Sequence, residues 1–132
     1  CLVGSFDLAV NLFSGLPADP PADDFITRNA MDAQEVAVGW WPGNARYGRA
    51  AFYAYAHPSP DGFASESLSP PAARSDEVLG EFVLDWDDVR TSASPHAAAL
   101  DFARSAFRRA DGEGGWDPVL AESADATPAP LV

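Results

Sequence analysis

Lysine is absent from this 132-residue sequence, and cysteine and histidine are almost absent. The single cysteine, Cys1, can form neither an intrachain disulfide nor a cysteine-based metal site. With only His57 and His96 available, a transition-metal site would need carboxylates for most of its ligands. The sequence therefore predicts no metal site and no cofactor.

Long apolar runs and the familiar catalytic motifs are also missing. No apolar stretch approaches the roughly 20 residues that cross a bilayer, so no membrane association is expected. The start of the sequence shows no basic-then-apolar leader, which predicts a cytoplasmic location. There is no glycine-rich phosphate loop, G-x-S-x-G, H-E-x-x-H or C-x-x-C, so the sequence gives no signal for the reactions those motifs serve.

Positive charge is scarce, with 8 arginines against 20 acidic residues and a net charge of -12. Such a chain repels a phosphate backbone, so no nucleic-acid partner is expected. Its 47% hydrophobic and 21% charged residues are typical of globular proteins, and its length suits one domain. We predict a single domain over residues 1–123, followed by a disordered tail over 124–132.

The most informative stretch runs from Glu35 to Pro58. Two apolar segments, 35–41 and 50–57, flank a Pro-Gly-Asn connection and contain five aromatic residues. Aromatic and β-branched residues on both sides of such a connection predict a wide β-hairpin. Gly39 and Ala54 lie inside the two strands, which indicates a bulge or the close approach of a bulky neighbour.

A long helix is predicted over residues 95–110. Ser94 is a suitable cap, Pro95 suits the first helical position, and Gly112 marks the end. Apolar side chains recur at helical spacing, so one face should cover a sheet. That stripe consists of Leu100, Ala103 and Phe107, widened by Ala99, Phe102 and Ala106.

Residues 5–13 fit two structures. Phe6, Leu8, Val10 and Leu12 alternate as in a strand, but Ser5 and Gly15 would also cap a helix. We favour the strand, and we expect another over 78–85. The fold class is therefore α+β, an antiparallel sheet backed by one long C-terminal helix. Shorter features are expected as loops (16–24 and 58–76), a helical turn or two (25–33, capped by Asp24) and a single turn (87–90).

Four sequence blocks resemble a known family. They are GSFDLAVNLFSG (4–15), EVAVGWWPG (35–43), AFYAYAHPSPDGFA (51–64) and LGEFVLDWDDVR (79–90), followed by GWD (115–117). Their order and spacing are similar to those of a bacterial family of unknown function, the one numbered 5996. Members of that family are longer, so the resemblance implies that this chain corresponds to their C-terminal part. It also implies that the upstream part of the same protein is a partner.

The hairpin also carries the candidate site residues. In antiparallel pairing, the start of the first strand and the end of the second meet, so Glu35 and His57 become neighbours. A carboxylate beside an imidazole suits acid–base chemistry. Relatives often have a histidine where this chain has Gln34, so a role for that histidine is not carried over. Tyr53 and Tyr55 share a sheet face with His57, and the ligand-binding candidates are these three residues and Trp41.

Trp40 and Trp41 are consecutive in the first strand. Because side chains alternate along a strand, one of them should point into the core and the other outward or under a loop.

Two functional hypotheses follow from these residues. The first is a non-catalytic module whose aromatic sheet face binds a small molecule or packs on another domain. The second is a hydrolase-like enzyme that uses Glu35 and His57 as an acid–base pair. The sequence contains no evident nucleophile or metal for such a pair to serve, which favours the first hypothesis and leaves enzymatic activity open.

The apolar start of the sequence adds an expectation about surface properties. Cys1-Leu2-Val3-Gly4 runs directly into the strand at 5–13 without a polar leader. An apolar edge strand invites association with other chains. We therefore expect the 132-residue chain to expose an apolar patch that includes hairpin aromatics, and to self-associate or bind a hydrophobic dye.

Overall fold

A computed structural model describes residues 6–65 and 67–114 of the chain. The fold is α+β, as predicted, with an antiparallel sheet and a long C-terminal helix. Its elements are β1 (Leu8–Pro17), α1 (Phe25–Ala30), β2 (Ala33–Trp41), β3 (Ala51–His57), β4 (Arg74–Asp76), β5 (Glu81–Asp85), α2 (Trp86–Thr91) and α3 (Pro95–Gly114). The five strands form one sheet in the order β1-β2-β3-β5-β4.

The predicted hairpin, β2 and β3, forms the centre of the sheet. Its register pairs Glu35 with His57, Gly39 with Tyr53 and Trp41 with Ala51. Because side chains alternate along a strand, this register sends one set toward α3 and the other set to the opposite face. The register of the hairpin therefore determines which of its residues face α3 and which lie on the opposite sheet face.

The larger hydrophobic core lies between α3 and one face of the sheet, and a smaller cluster is buried on the opposite face, formed by Trp41, Tyr47, Ala51 and Val83. The helix contributes a row of buried side chains four residues apart, Ala98, Phe102, Ala106 and Ala110, with Phe107 beside them. The sheet contributes Val36, Ala54, Ala56, Phe82 and Leu84. Of the predicted stripe, Phe102, Ala106 and Phe107 are buried. Leu100, Ala103 and Ala99 are only half-buried, so the buried face is rotated relative to the prediction. The helix also continues two residues beyond Gly112, to Gly114.

The segment 5–13, whose sequence fits either a strand or a helix, contains the strand β1, which pairs with β2. The strand extends beyond the predicted end at residue 13, to Pro17. Leu8 pairs with Trp40 and Phe13 with Glu35, and the register shifts before Pro17. Among residues 6–65 and 67–114, no strand pairs with the other side of β1, which is an edge of the described sheet. Side chains of β1 that point to the helix side remain exposed, 67% for Leu8 and 65% for Val10. These side chains expose apolar surface along β1, whereas the hairpin aromatics expected in the patch are buried or half-buried. Residues 1–4, on which the expectation also depends, lie outside the described residues. Dye binding and self-association stay predictions.

Two boundaries in the second half differ from the prediction. The segment 58–76 is not entirely loop, because its end forms β4, which pairs with β5. The strand predicted over 78–85 begins only at Glu81. Asp76 Oδ1 accepts hydrogen bonds from the backbone N–H groups of Val78 and Leu79, and Gly80 adopts a positive φ of 73°. This turn occupies the residues that sequence alternation had assigned to the strand.

The first short helix, α1, has the cap that its sequence predicts. Asp24 accepts hydrogen bonds from the backbone N–H groups of Ile26 and Thr27, and so caps α1 as expected. The predicted turn at 87–90 is part of α2. Within the described ranges, no helix combines the length and the apolar character needed to cross a membrane. The predicted tail at 124–132 and the GWD block at 115–117 lie outside the described residues.

Candidate functional site

The sheet face opposite α3 carries the candidate site, and we refer to it as the open face. It comprises the alternate residues Glu35, Ala37, Gly39 and Trp41 of β2, Ala51, Tyr53, Tyr55 and His57 of β3, and Glu81, Val83 and Asp85 of β5. Aromatic and acidic side chains dominate this set. The sequence placed candidate aromatic and acidic residues only on the hairpin, and the register adds residues of β5 to the same sheet face.

A cavity of about 240 Å³ lies on the open face. Its lining residues are Asp7, Trp41, Asn44, Tyr53, Tyr55, Leu79 and Glu81. The Trp41 and Tyr53 rings are 5.2 Å apart at an interplanar angle of 73°, whereas the Tyr53 and Tyr55 rings are nearly parallel, at 7° and 6.4 Å. The cavity is thus bounded by aromatic rings in two roughly perpendicular orientations.

Gly39 explains the position of the Tyr53 ring. A Cβ atom added at Gly39 would lie 2.5 Å from Tyr53 Cζ and 2.5 Å from its hydroxyl oxygen. The ring therefore lies directly over the glycine backbone, in space that any side chain would occupy. This is the close approach of a bulky neighbour that the strand glycine predicted.

Carboxylates surround the hydroxyl ends of the two tyrosines. The Tyr53 hydroxyl donates to Asp7 Oδ2 at 2.5 Å. Burial raises the pKa of Tyr53, and it raises the pKa of Tyr55 to about 12. The negative charges of Asp7 and Glu81 raise both pKa values further. Both phenols therefore remain neutral at physiological pH and act as hydrogen-bonding groups.

A polar cluster around the buried carboxylate of Asp85 supports the Trp41 end of the cavity. The Trp41 ring packs 5.5 Å from the ring of Tyr47, whose hydroxyl donates to Asp85 Oδ1 at 2.5 Å. Arg49 Nη1 and Arg74 Nη2 donate to the other oxygen of Asp85, at 3.1 and 3.2 Å. These bonds hold the connection between β2 and β3 against β5. The ring of Tyr47, which belongs to this connection, is thereby held against the ring of Trp41.

Glu35 is the most deeply buried charged residue of the open face, with 1% of its surface exposed. Asn11 Nδ2 donates to Glu35 Oε2 at 3.0 Å. Burial raises the pKa of Glu35, while the charge of His57 and hydrogen bonding from Asn11 and Tyr55 oppose the rise. This carboxylate is therefore covered by other side chains and does not face the cavity directly, since it is not among the lining residues.

His57 lies opposite Glu35 in the register, as the hairpin predicted. Its Nε2 atom is 3.1 Å from the backbone oxygen of Asp19, in the loop before α1. Among the described residues, no direct hydrogen bond or ion pair joins the Glu35 and His57 side chains. The two are cross-strand neighbours that have different partners, and a catalytic role for them stays a prediction.

Replacing Glu35 with glutamine is expected to flatten the dependence of stability on pH. Above an ordinary glutamate pKa of about 4.3, the unfolded chain releases a proton that folded Glu35 retains, because its folded pKa is raised. Stability then falls as pH rises through the folded pKa. Urea unfolding of both proteins from pH 4 to pH 8 should show Glu35→Gln gaining on the wild type as pH rises. Parallel curves would contradict this.

Three of the four predicted ligand-binding residues, Trp41, Tyr53 and Tyr55, line the same cavity, whereas His57 does not. Sequence reasoning missed four other lining residues, Asp7, Asn44, Leu79 and Glu81. Asp7 and Glu81 lie at the cavity because β1 pairs with β2 and β5 pairs with β3. No local sequence pattern predicts which distant strands pair. The position of Asn44 could have been predicted, because it belongs to the Pro-Gly-Asn connection that follows Trp41 directly in the sequence.

The fold and the cavity define an α+β domain with an aromatic, acidic site on its open sheet face. Residues 1–123 match the model of a family of unknown function (DUF5996), so the chain belongs to that family. Searches of curated proteins and of solved structures gave no match. Among residues 6–65 and 67–114, no three His, Cys, Asp or Glu side chains are grouped so as to hold a metal ion.

Proposed function

We propose that this protein is a non-catalytic small-molecule-binding module, whose ligand occupies the cavity on the open face. The observation that carries the proposal is the cavity itself, about 240 Å³ lined by three aromatic rings and a few polar groups. Concave sites of this composition are the usual places where proteins bind small molecules. Its volume is below the roughly 300–1,000 Å³ of sites for drug-sized ligands, so a small ligand is expected.

The rigidity of the cavity walls supports the proposal. The Tyr53 ring is held between Gly39 below it and Asp7 at its hydroxyl. Trp41 is 6% exposed and packs between the rings of Tyr47 and Tyr53. Side chains that are fixed before binding lose little conformational entropy when a ligand arrives, which favours affinity.

A matched pair of variants tests the proposal. Leu79 lines the cavity, whereas its neighbour Val78 is 77% exposed and does not. We expect Leu79→Trp to fill the cavity, and Val78→Trp to add the same side chain outside it. The wild-type chain would be screened by thermal shift against a panel of neutral, anionic and cationic metabolites. Compounds that bind should stabilise the wild type and Val78→Trp, but not Leu79→Trp.

Two results would overturn the proposal. One is a panel in which no compound stabilises the wild type. The other is stabilisation that persists in Leu79→Trp, because the ligand would then bind elsewhere. A circular dichroism spectrum and a cooperative melt for Leu79→Trp establish that its loss of binding is not a loss of fold.

The alternative of a hydrolase-like enzyme is supported by one observation, the cross-strand pairing of Glu35 and His57. A general base must come within about 2.6–3.2 Å of the proton it removes, or act through one water. Glu35 is covered and already accepts a hydrogen bond from Asn11, so it is poorly placed to reach a substrate. Hydrolysis of an ester or amide panel that Glu35→Gln abolishes would favour the enzyme instead.

A further inference from the structure

We infer that the cavity selects a small organic cation, with the chemistry of a methylated ammonium group such as that of choline. This inference rests on the proposed function, because it names the class of ligand that the same cavity binds. Three properties of the lining lead to it. They are the sign of its charge, its aromatic rings and the lack of a partner for one of its two carboxylates.

The charge of the lining is negative without compensation. Asp7 and Glu81 are the charged members of the lining set, and no arginine or histidine belongs to it. Glu35 is not part of the lining, but its negative charge acts on the lining residue Tyr55. The chain as a whole carries a net charge of -12, which strengthens the negative potential at a concave site. Anionic ligands are disfavoured there, and cations are attracted.

The aromatic walls suit a cation that is weakly hydrated. The face of an aromatic ring carries negative charge density and attracts a cation within about 6 Å of the ring centre. Trp41 and Tyr53 stand nearly perpendicular, at 73° and 5.2 Å, and the Tyr55 ring runs parallel to that of Tyr53. Methylated ammonium groups are bound by such sets of aromatic rings, because they form no strong hydrogen bonds that burial would break.

Glu81 supplies the third argument. It is half-buried on β5, and within the described part of the chain its carboxylate has neither a hydrogen-bond donor nor an ion-pair partner. Burial raises the pKa of Glu81, and the nearby charge of Asp76 raises it further. A carboxylate in this situation gains from a cation placed beside it. The other lining carboxylate, Asp7, already accepts from the Tyr53 hydroxyl.

The test compares choline with 3,3-dimethylbutan-1-ol, a neutral molecule of nearly the same shape. Binding to the 132-residue chain would be measured by isothermal titration calorimetry at constant chloride concentration. We expect choline to bind at least about tenfold more tightly than the neutral alcohol. Glu81→Gln should weaken choline binding about fivefold and leave the affinity of the alcohol unchanged. Glu77→Gln removes an exposed charge from the adjacent turn and should change neither affinity.

The outcomes separate this inference from the proposed function. Equal affinities for choline and the alcohol, or choline binding that Leu79→Trp leaves intact, would overturn the cation assignment. If choline fails to bind while another panel compound binds and is blocked by Leu79→Trp, the cavity is a binding site for a different ligand class. If no compound binds, both proposals fail. Weaker binding in Glu77→Gln, equal to that in Glu81→Gln, would show that net charge and not the cavity attracts the cation.

Discussion

Replacing Asp85 with alanine is expected to lower the free energy of unfolding by about 2–4 kcal/mol. The carboxylate is buried, and it accepts hydrogen bonds from Tyr47, Arg49 and Arg74. Most of the loss should come from the buried tyrosine hydroxyl, which would keep no carboxylate to donate to. The two arginines are 66% and 43% exposed, so water would solvate them after the substitution and their share is small.

Asp87→Ala is the matched control for that prediction. Asp87 pairs with Arg90 at 2.6 Å on the surface of α2, where a salt bridge contributes less than about 1 kcal/mol. Asp85 precedes the same helix and makes no side-chain capping bond, so its substitution does not remove a helix cap. Urea unfolding of both variants should show a clearly larger loss for Asp85→Ala. Equal losses would contradict the prediction that the Asp85 cluster fixes the connection between β2 and β3.

A double-mutant cycle would assign the loss to the predicted pair. Tyr47→Phe removes only the hydroxyl that donates to Asp85. If this bond dominates, Asp85→Ala should cost much less in the Tyr47→Phe background than in the wild type. The cluster also matters for the site, because the ring of Tyr47 packs against Trp41. Loss of the bond is therefore expected to weaken ligand binding as well as stability.

Local sequence signals predicted the hairpin and the proximity of Glu35 to His57, because both depend on residues close together in sequence. The alternation of apolar residues and the Pro-Gly-Asn connection placed Glu35 opposite His57, and the structure pairs them. The same alternation put Tyr53 and Tyr55 on one face, where both line the cavity. For the consecutive tryptophans, one was expected inward and the other outward or under a loop. Trp41 is buried beside Tyr47 of the connection, and Trp40 is half-buried near Trp86.

The rest of the site was not predictable because it is assembled by pairings between distant segments. Glu81 meets the tyrosines only because β5 pairs with β3, and Asp7 does so only because β1 joins β2. Asp85 likewise gave no signal, since its partners are 38, 36 and 11 residues away in sequence. The alternation of apolar residues also predicted a strand that begins too early, at residue 78. Residues 78 and 79 belong instead to a turn, in which the side chain of Asp76 accepts hydrogen bonds from their backbone N–H groups.

Gly39→Ala is expected to destabilise the protein by about 1–3 kcal/mol through overpacking, and to abolish ligand binding in the cavity. The new Cβ atom would lie 2.5 Å from the Tyr53 ring, so the ring would have to move. It has little freedom to do so, because Tyr55, Trp41 and Asp7 all contact it. Without that clash the sign would be opposite, since alanine is more favourable than glycine inside a strand by about 0.5–1 kcal/mol.

This difference in sign gives the prediction a stringent test. In a Tyr53→Ala background the ring is gone, so adding Gly39→Ala should be neutral or stabilising by up to about 1 kcal/mol. Gly48→Ala is the control for glycine substitution itself, because no atom lies within 4 Å of a Cβ built there. Urea unfolding would compare all four proteins with the wild type. If Gly39→Ala costs as much without the Tyr53 ring as with it, the glycine is required by the strand backbone and not by the wall of the cavity.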